Sequence, residues 1–151
     1  MEKTIYYLIR HAEKDITDST NHDPHLTGQG IVRAKNWANF FGDKSIDMVY
    51  STEYTRTIQT VIPTLDQTKL ELKFYNPDRL YSKEFLEETQ GKIVLIVGHQ
   101  SSVPNLVNKL LNEQRYNKIE ADVYNNLYTV VFESDGSIHG KLEKKDFPDQ
   151  T

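Results

Sequence analysis

The sequence predicts an α/β fold built on a mostly parallel sheet, and three observations carry that reading. Strand-like and helix-like patterns alternate along the first 111 residues. Two of the strand-like runs, residues 4–9 and 92–97, are almost continuously apolar, as suits parallel strands covered on both faces. Near the C-terminus, residues 126–132 and 137–143 flank Ser134-Asp135-Gly136, a hairpin signal that adds antiparallel character at one edge.

Taken in order, residues 4–9 form the first strand. Residues 15–25, rich in Asp, Thr, Ser and Asn and containing Pro24, read as a long loop, and loops of that length in compact domains are often functional. Thr27 is placed to cap a helix in which Ile31, Ala34, Ala38 and Phe41 recur at helical spacing, with Gly42 at its end. Residues 46–50 form a short strand, after which Ser51 or Thr52 can cap a second helix. Its expected buried stripe is Tyr54, Ile58, Val61, Ile62 and Leu65, and Pro63 is expected to kink or end it near Ile62. Residues 70–75 alternate as a strand, residues 82–90 carry a short helical pattern, and residues 92–97 give the strongest buried-strand signal. Pro104 suits the first turn of a last helix striped by Val103, Leu106, Val107, Leu110 and Leu111.

At 151 residues the chain is most simply one domain, 1–151, large enough for a sizeable core. With 26% charged and 37% hydrophobic residues it has a globular balance. A net charge of −4 argues against a general nucleic-acid binder. No cysteine is present, which excludes a disulfide framework, a thiolate nucleophile and a cysteine zinc site, and fits a reducing, cytoplasmic compartment. The N-terminus enters a strand without a basic segment and a long apolar run, so no signal peptide is expected. No apolar run approaches membrane-spanning length, so no membrane partner is expected. Nothing in the pattern fixes an oligomeric state.

The chemistry concentrates at strand ends. Two of the most apolar strands run into histidine, Ile9-Arg10-His11 and Val97-Gly98-His99, and a third leads through Ser51-Thr52 to a helix carrying Arg56. In open α/β sheets, ligands bind outside the carboxyl ends of the strands. Were these strands parallel neighbours, two histidines and two arginines would share one edge, an arrangement suited to a phosphate. Arginine matches phosphate bidentately, and a helix starting near Ser102 adds backbone N–H groups and its dipole. Neutral imidazole, with an ordinary pKa of about 6.5, can attack phosphorus near neutral pH. Taken singly, each residue has a plainer role: a structural strand-end histidine, a solvated arginine, a capping Ser or Thr.

These stretches resemble the histidine phosphatase superfamily, the phosphoglycerate-mutase-like proteins. Arg10-His11-Ala12-Glu13-Lys14 resembles its R-H-G/A-E motif. D-P-H-L-T-G-Q-G with Arg33-Ala34 is similar to its L-T-x-x-G-x-x-R/Q-A segment. Y-S-T-E-Y-T-R-T-I-Q-T from Tyr50 is similar to Y-S-x-x-x-R-T-x-Q-T-A, and V-G-H-Q-S-S-V-P from Val97 to V-G-H-x-x-x-x-P. The resemblance implies a three-layer α/β/α sandwich and a phosphohistidine formed on His11. It implies that Arg10 and Arg56 bind the phosphoryl group and that His99 donates to one of its oxygens, with the Gln100 backbone N–H as a further contact. It implies no cofactor and no metal. The general acid is the weak point: Glu13 is one candidate, with a salt bridge to Arg10 or Lys14 as its alternative role, and Asp78, Glu84, Glu87 and Glu88 form no recognisable acid site. The expected function is a metal-independent phosphatase whose partner is a phosphorylated small molecule or a phosphoprotein. Without a clear acid, phosphohistidine is favoured as substrate, because imidazole leaves more easily than an alkoxide. The short chain favours hydrolysis over a phosphoglycerate-type mutase. A non-catalytic phosphoryl-binding module is the alternative from another class, and a metal hydrolase using His11, His22, His25 and His99 is the poorest fit. His139 is expected to be structural or exposed.

Overall fold

The computed structural model describes residues 2–147. Its centre is the apolar strand β4 (Ile93–Gly98), flanked by β1 (Thr4–Arg10) and β2 (Met48–Ser51), both parallel to it. Beyond β2 lies β3 (Leu72–Phe74), also parallel. Beyond β1 lie β5 (Asn126–Phe132) and β6 (Ile138–Lys144), an antiparallel pair, giving the order β3-β2-β4-β1-β5-β6. The hairpin turn places Gly136 at φ +91°, a left-handed conformation that favours glycine.

Alternation along the central strands sends side chains to opposite faces. Tyr6, Leu8, Val94 and Ile96 join one core, with Phe85 of α3 (Lys83–Thr89) and Val103, Leu106 and Leu110 of α4 (Ser102–Leu111). Ile9, Val49, Leu95 and Val97 join the other, with Trp37 and Phe41 of α1 (Gly28–Phe41) and Val61 of α2 (Thr55–Thr68). Two helical layers therefore sandwich the sheet, and both cores depend on strands apolar on each face.

The helices depart from the predicted stripes in instructive ways. Thr27 caps α1 by accepting the Gly30 N–H at 3.1 Å. However, α1 buries Gly30, Arg33 and Trp37, and leaves Ile31 42% exposed. Gly30 lies against the backbone after β1; a Cβ there would sit 2.3 Å from the Glu13 carbonyl oxygen. That close approach rotates the helix and turns Arg33 inward. Likewise α2 buries Thr57, Thr60, Val61 and Thr64, while Tyr54 and Ile62 are exposed. Threonine is small enough for close packing, and two of these hydroxyls are satisfied by backbone carbonyls: Thr57 donates to Tyr54 O and Thr60 to Arg56 O. Pro63 does not end α2, which continues to Thr68. Packing on α1, with Gln67 Nε2 donating to Ala38 O at 2.9 Å, outweighs the one lost hydrogen bond. Neither Ser51 nor Thr52 caps α2; Asp23, from the 15–25 loop, accepts both the N–H and the hydroxyl of Thr55, each at 2.8 Å.

Trp37 is fully buried, stacking on Phe41 with centroids 5.6 Å apart. Trp37→Ala is expected to cost about 3–5 kcal/mol, read as a lower urea midpoint with little change in m-value.

Candidate active site

Strand register builds the site. Arg10 pairs with Gly98 across β1 and β4, and Ser51 pairs with Val97 across β2 and β4. The residues that follow therefore emerge together: His11 after β1, Thr52 after β2, His99 after β4. The imidazole centroids of His11 and His99 are 5.7 Å apart.

His11 is almost wholly buried. Its Nδ1 lies 2.7 Å from Ala12 O, an atom that can only accept, so Nδ1 carries the proton and Nε2 keeps its lone pair. The ring is locked further by its backbone: His11 N–H donates to Gly98 O, and Ala12 N–H to Thr60 Oγ1. Burial, together with the charges of Arg10 and Arg56, lowers the His11 pKa to about 3, despite the opposing Ala12 hydrogen bond. Burial, then Arg56, Lys14 and Arg10, lower that of His99 to about 4. Both imidazoles are therefore neutral at pH 7.

His99 Nε2 lies 2.7 Å from Thr52 Oγ1, which contacts Thr57 Oγ1 at 3.0 Å. Thr57 has one hydroxyl proton and two carbonyls to receive it, Thr52 O and Tyr54 O. Thr52 must then donate to Thr57, and so accepts the His99 Nε2–H. Tyr54 packs edge-on against His99 at 4.9 Å, and the Arg56 guanidinium lies 4.5 Å above the Tyr54 ring. The Nε and Nη1 of Arg56 are buried without a hydrogen-bond partner.

Arg10 Nη1 donates to three carbonyls, Glu120 O (3.3 Å), Ala121 O (3.0 Å) and Val123 O (2.8 Å). Its guanidinium stacks 4.2 Å from the centre of the Tyr124 ring, and its Nε has no partner. Sequence reasoning assigned nothing to this segment, whose irregular pattern carries no periodicity. Gln100 holds it in place: its side-chain Nε2 donates to Ile119 O at 2.7 Å, and its carbonyl accepts the Ile119 N–H. That use of the side chain leaves the backbone N–H of Gln100 as the group it can offer a ligand.

The candidate acid, Glu13, is placed elsewhere. Glu13 accepts a bidentate pair from Arg33, Nε to Oε1 at 2.9 Å and Nη2 to Oε2 at 2.8 Å, with both side chains largely buried. Its partner is neither Arg10 nor Lys14, and both carboxylate oxygens are committed. A sequence signal existed, since Arg33 stands in the second motif, but its inward orientation depends on the Gly30 contact. Of the other histidines, His22 and His25 lie on the exposed 15–25 loop, and His139 is exposed on β6. Among the described residues no group of histidine and carboxylate side chains is arranged to hold a metal ion. No helix of the described residues is long and apolar enough to cross a membrane.

Comparison with known proteins adds to this geometry. The family model for the histidine phosphatase superfamily (branch 1) matches residues 6–77. The protein histidine phosphatase SixA, solved with tungstate, is similar in fold at TM-score 0.72 and 15% identity, over 93% of this chain and 96% of that one. A mycobacterial glucosyl-3-phosphoglycerate phosphatase superposes at TM-score 0.64 and 12% identity, over 95% and 98%. Phosphoglycerate mutase from Bacillus anthracis does so at 0.66 and 16%, over 95% and 93%. A comparison with curated protein sequences finds no match. Residues 6–77 thus match the superfamily's model, and the fold, a three-layer sandwich with an antiparallel β5-β6 pair, is shared with these solved structures.

Glu13→Gln leaves the buried Arg33 charge short of its partner and is expected to destabilise the fold by about 3–5 kcal/mol, measured by chemical denaturation. Above pH 6.5 the two histidines are neutral in both folded and unfolded chains. Below it the unfolded chain takes up protons that the folded chain refuses down to about pH 4 for His99 and about pH 3 for His11. Stability therefore falls as pH drops through that window, and the fall should be shallower in a His11→Asn/His99→Asn variant.

Proposed function

We propose that the chain, working as one domain over 1–151, is a metal-independent phosphatase that hydrolyses a phosphomonoester or a phosphohistidine through a phosphohistidine on His11. The observation that carries this is the locked tautomer of His11, a neutral imidazole with its Nε2 lone pair free, beside buried guanidinium donors without partners, Nε of Arg10 and Nε and Nη1 of Arg56. His11 Nε2 attacks phosphorus and the bond to the leaving group breaks. Arg10 and Arg56 hold the phosphoryl oxygens, where charge develops in the transition state. The His99 Nε2–H, resting on Thr52, is the donor available to a third oxygen, with the Gln100 N–H as a further contact. Water then attacks the phosphohistidine, releasing phosphate and restoring His11. The similarity to SixA, solved with tungstate, supports an oxyanion site and brings a phosphorylated protein into the substrate class alongside small phosphate esters. The cysteine-free sequence supports work in the cytoplasm.

Chain length does not separate hydrolysis from mutase action, because this chain spans 93% of the similar mutase. Openness favours hydrolysis. Cavities of about 470 Å³ beside Thr52 and Tyr54 and about 360 Å³ beside Lys14 and Arg56 adjoin these residues, which supports a reaction that needs water close by.

Incubation with a radiolabelled phosphate donor should leave acid-labile label on the wild type and none on His11→Ala, with turnover surviving EDTA. Phosphate binding without retained label would instead favour a recognition module.

A further inference from the structure

We propose that Lys14 is the proton donor to the leaving group, an inference that rests on the phosphatase reading above. The phosphatase needs such a donor for any substrate with a basic leaving oxygen, and the site offers few. Glu13 is committed to Arg33 through both oxygens. Arginine holds its protons at any working pH. His11 is the attacking group, and the His99 Nε2–H serves the phosphoryl oxygens. Asp23 spends both carboxylate oxygens on Thr55.

Lys14 is three residues after His11 and half-buried, and its Nζ has no hydrogen-bond or ion-pair partner among the described residues. It lines the cavity of about 360 Å³ that also reaches Arg56. The backbone pins it, since Lys14 bridges to Leu26 and the next residue, Asp15, donates its N–H to His25 O at 2.8 Å. The charged and titratable groups around it are Arg10, Arg56 and His99 on the site side, and Asp15, Asp18 and His22 on the loop. Each aspartate has one carboxylate oxygen occupied by a threonine, Thr17 on Asp15 and Thr20 on Asp18, and neither aspartate forms an ion pair with Lys14. An ammonium that shares its cavity with the Arg56 guanidinium, partly buried and without its own carboxylate, is held below its ordinary pKa by burial first and then by the charges of Arg56 and Arg10, which favours proton release.

The His11 Nε2 lone pair forms the bond to phosphorus, and the bond from phosphorus to the leaving oxygen breaks. That oxygen takes the electron pair and a proton from Lys14 Nζ, leaving a neutral amine. In the second half, water attacks phosphorus and gives its proton to Lys14, while the electron pair of the breaking P–N bond returns to His11. Lys14 ends as the ammonium, ready for another turnover. With this donor, alkyl phosphates lie within reach as well as substrates with good leaving groups.

The test compares an alkyl phosphate with p-nitrophenyl phosphate in the wild type, Lys14→Met and Lys14→Arg. General acid catalysis contributes about 10²–10⁴-fold. Lys14→Met should therefore lose at least about 100-fold in kcat on the alkyl phosphate but less than about 10-fold on the aryl ester, which needs little protonation and reports an intact fold. Lys14→Arg keeps the charge and should not restore alkyl turnover. Equal losses on both esters, or full rescue by arginine, would overturn the proposal while leaving the phosphatase reading intact. A wild type that turns over neither ester nor phosphohistidine, and retains no label, defeats the phosphatase reading itself.

Discussion

Crowding of positive charge governs this molecule. Arg10, Arg56 and Lys14 converge on one end of the sheet, and Glu13, which lies between Arg10 and Lys14 in sequence, is neutralised by Arg33. Like charges so placed repel, and the structure restrains them without cancelling them. Three backbone carbonyls and the Tyr124 face hold Arg10, and the Tyr54 face holds Arg56. Carbonyl dipoles and aromatic faces fix a guanidinium while leaving its charge for a ligand. A carboxylate in the same place would have filled the site. The same charges, with burial, keep both imidazoles neutral, so one repulsion both attracts a phosphoryl group and preserves the group that would attack it.

Restraint of this kind requires precise placement, which the sheet provides. Because β4 lies between β1 and β2 and runs parallel to both, three chain segments that are distant in sequence end level with one another. Their apolar faces are each covered by a pair of helices, so the ends that carry chemistry rest on two cores rather than one.

Much of this was legible in the sequence. Apolar continuity gave the parallel strands, Ser134-Asp135-Gly136 gave the hairpin, and four motifs in order gave His11, Arg10, Arg56 and His99 as the candidates. What escaped has a common physical origin in contacts between residues far apart in the chain. Helical periodicity placed Ile31 and Ile62 inside, but the close approach of Gly30 to Glu13 and the threonine face of α2 set the rotations of the two helices. A proline rule written for isolated helices failed for Pro63, where packing on α1 holds the turn. The carbonyls that hold Arg10 come from a segment about 110 residues away, and carbonyls carry no side-chain signature. The pairing of Glu13 with Arg33 depended on that same rotation of α1.

The loop at 15–25 has a mechanical consequence. Asp23 caps α2 from outside, and the Leu26 N–H donates to Gln59 Oε1 at 2.7 Å one turn further along. Arg56 sits on the first turn of that helix, directly after Thr55. The loop is therefore coupled to Arg56, as a hasp is to a door: a ligand that displaces one must move the other. The same loop lines the cavity beside Lys14 and Arg56 through Asp18, Ser19 and Asn21, so Asp23 is the point at which the cavity wall and the arginine helix are joined.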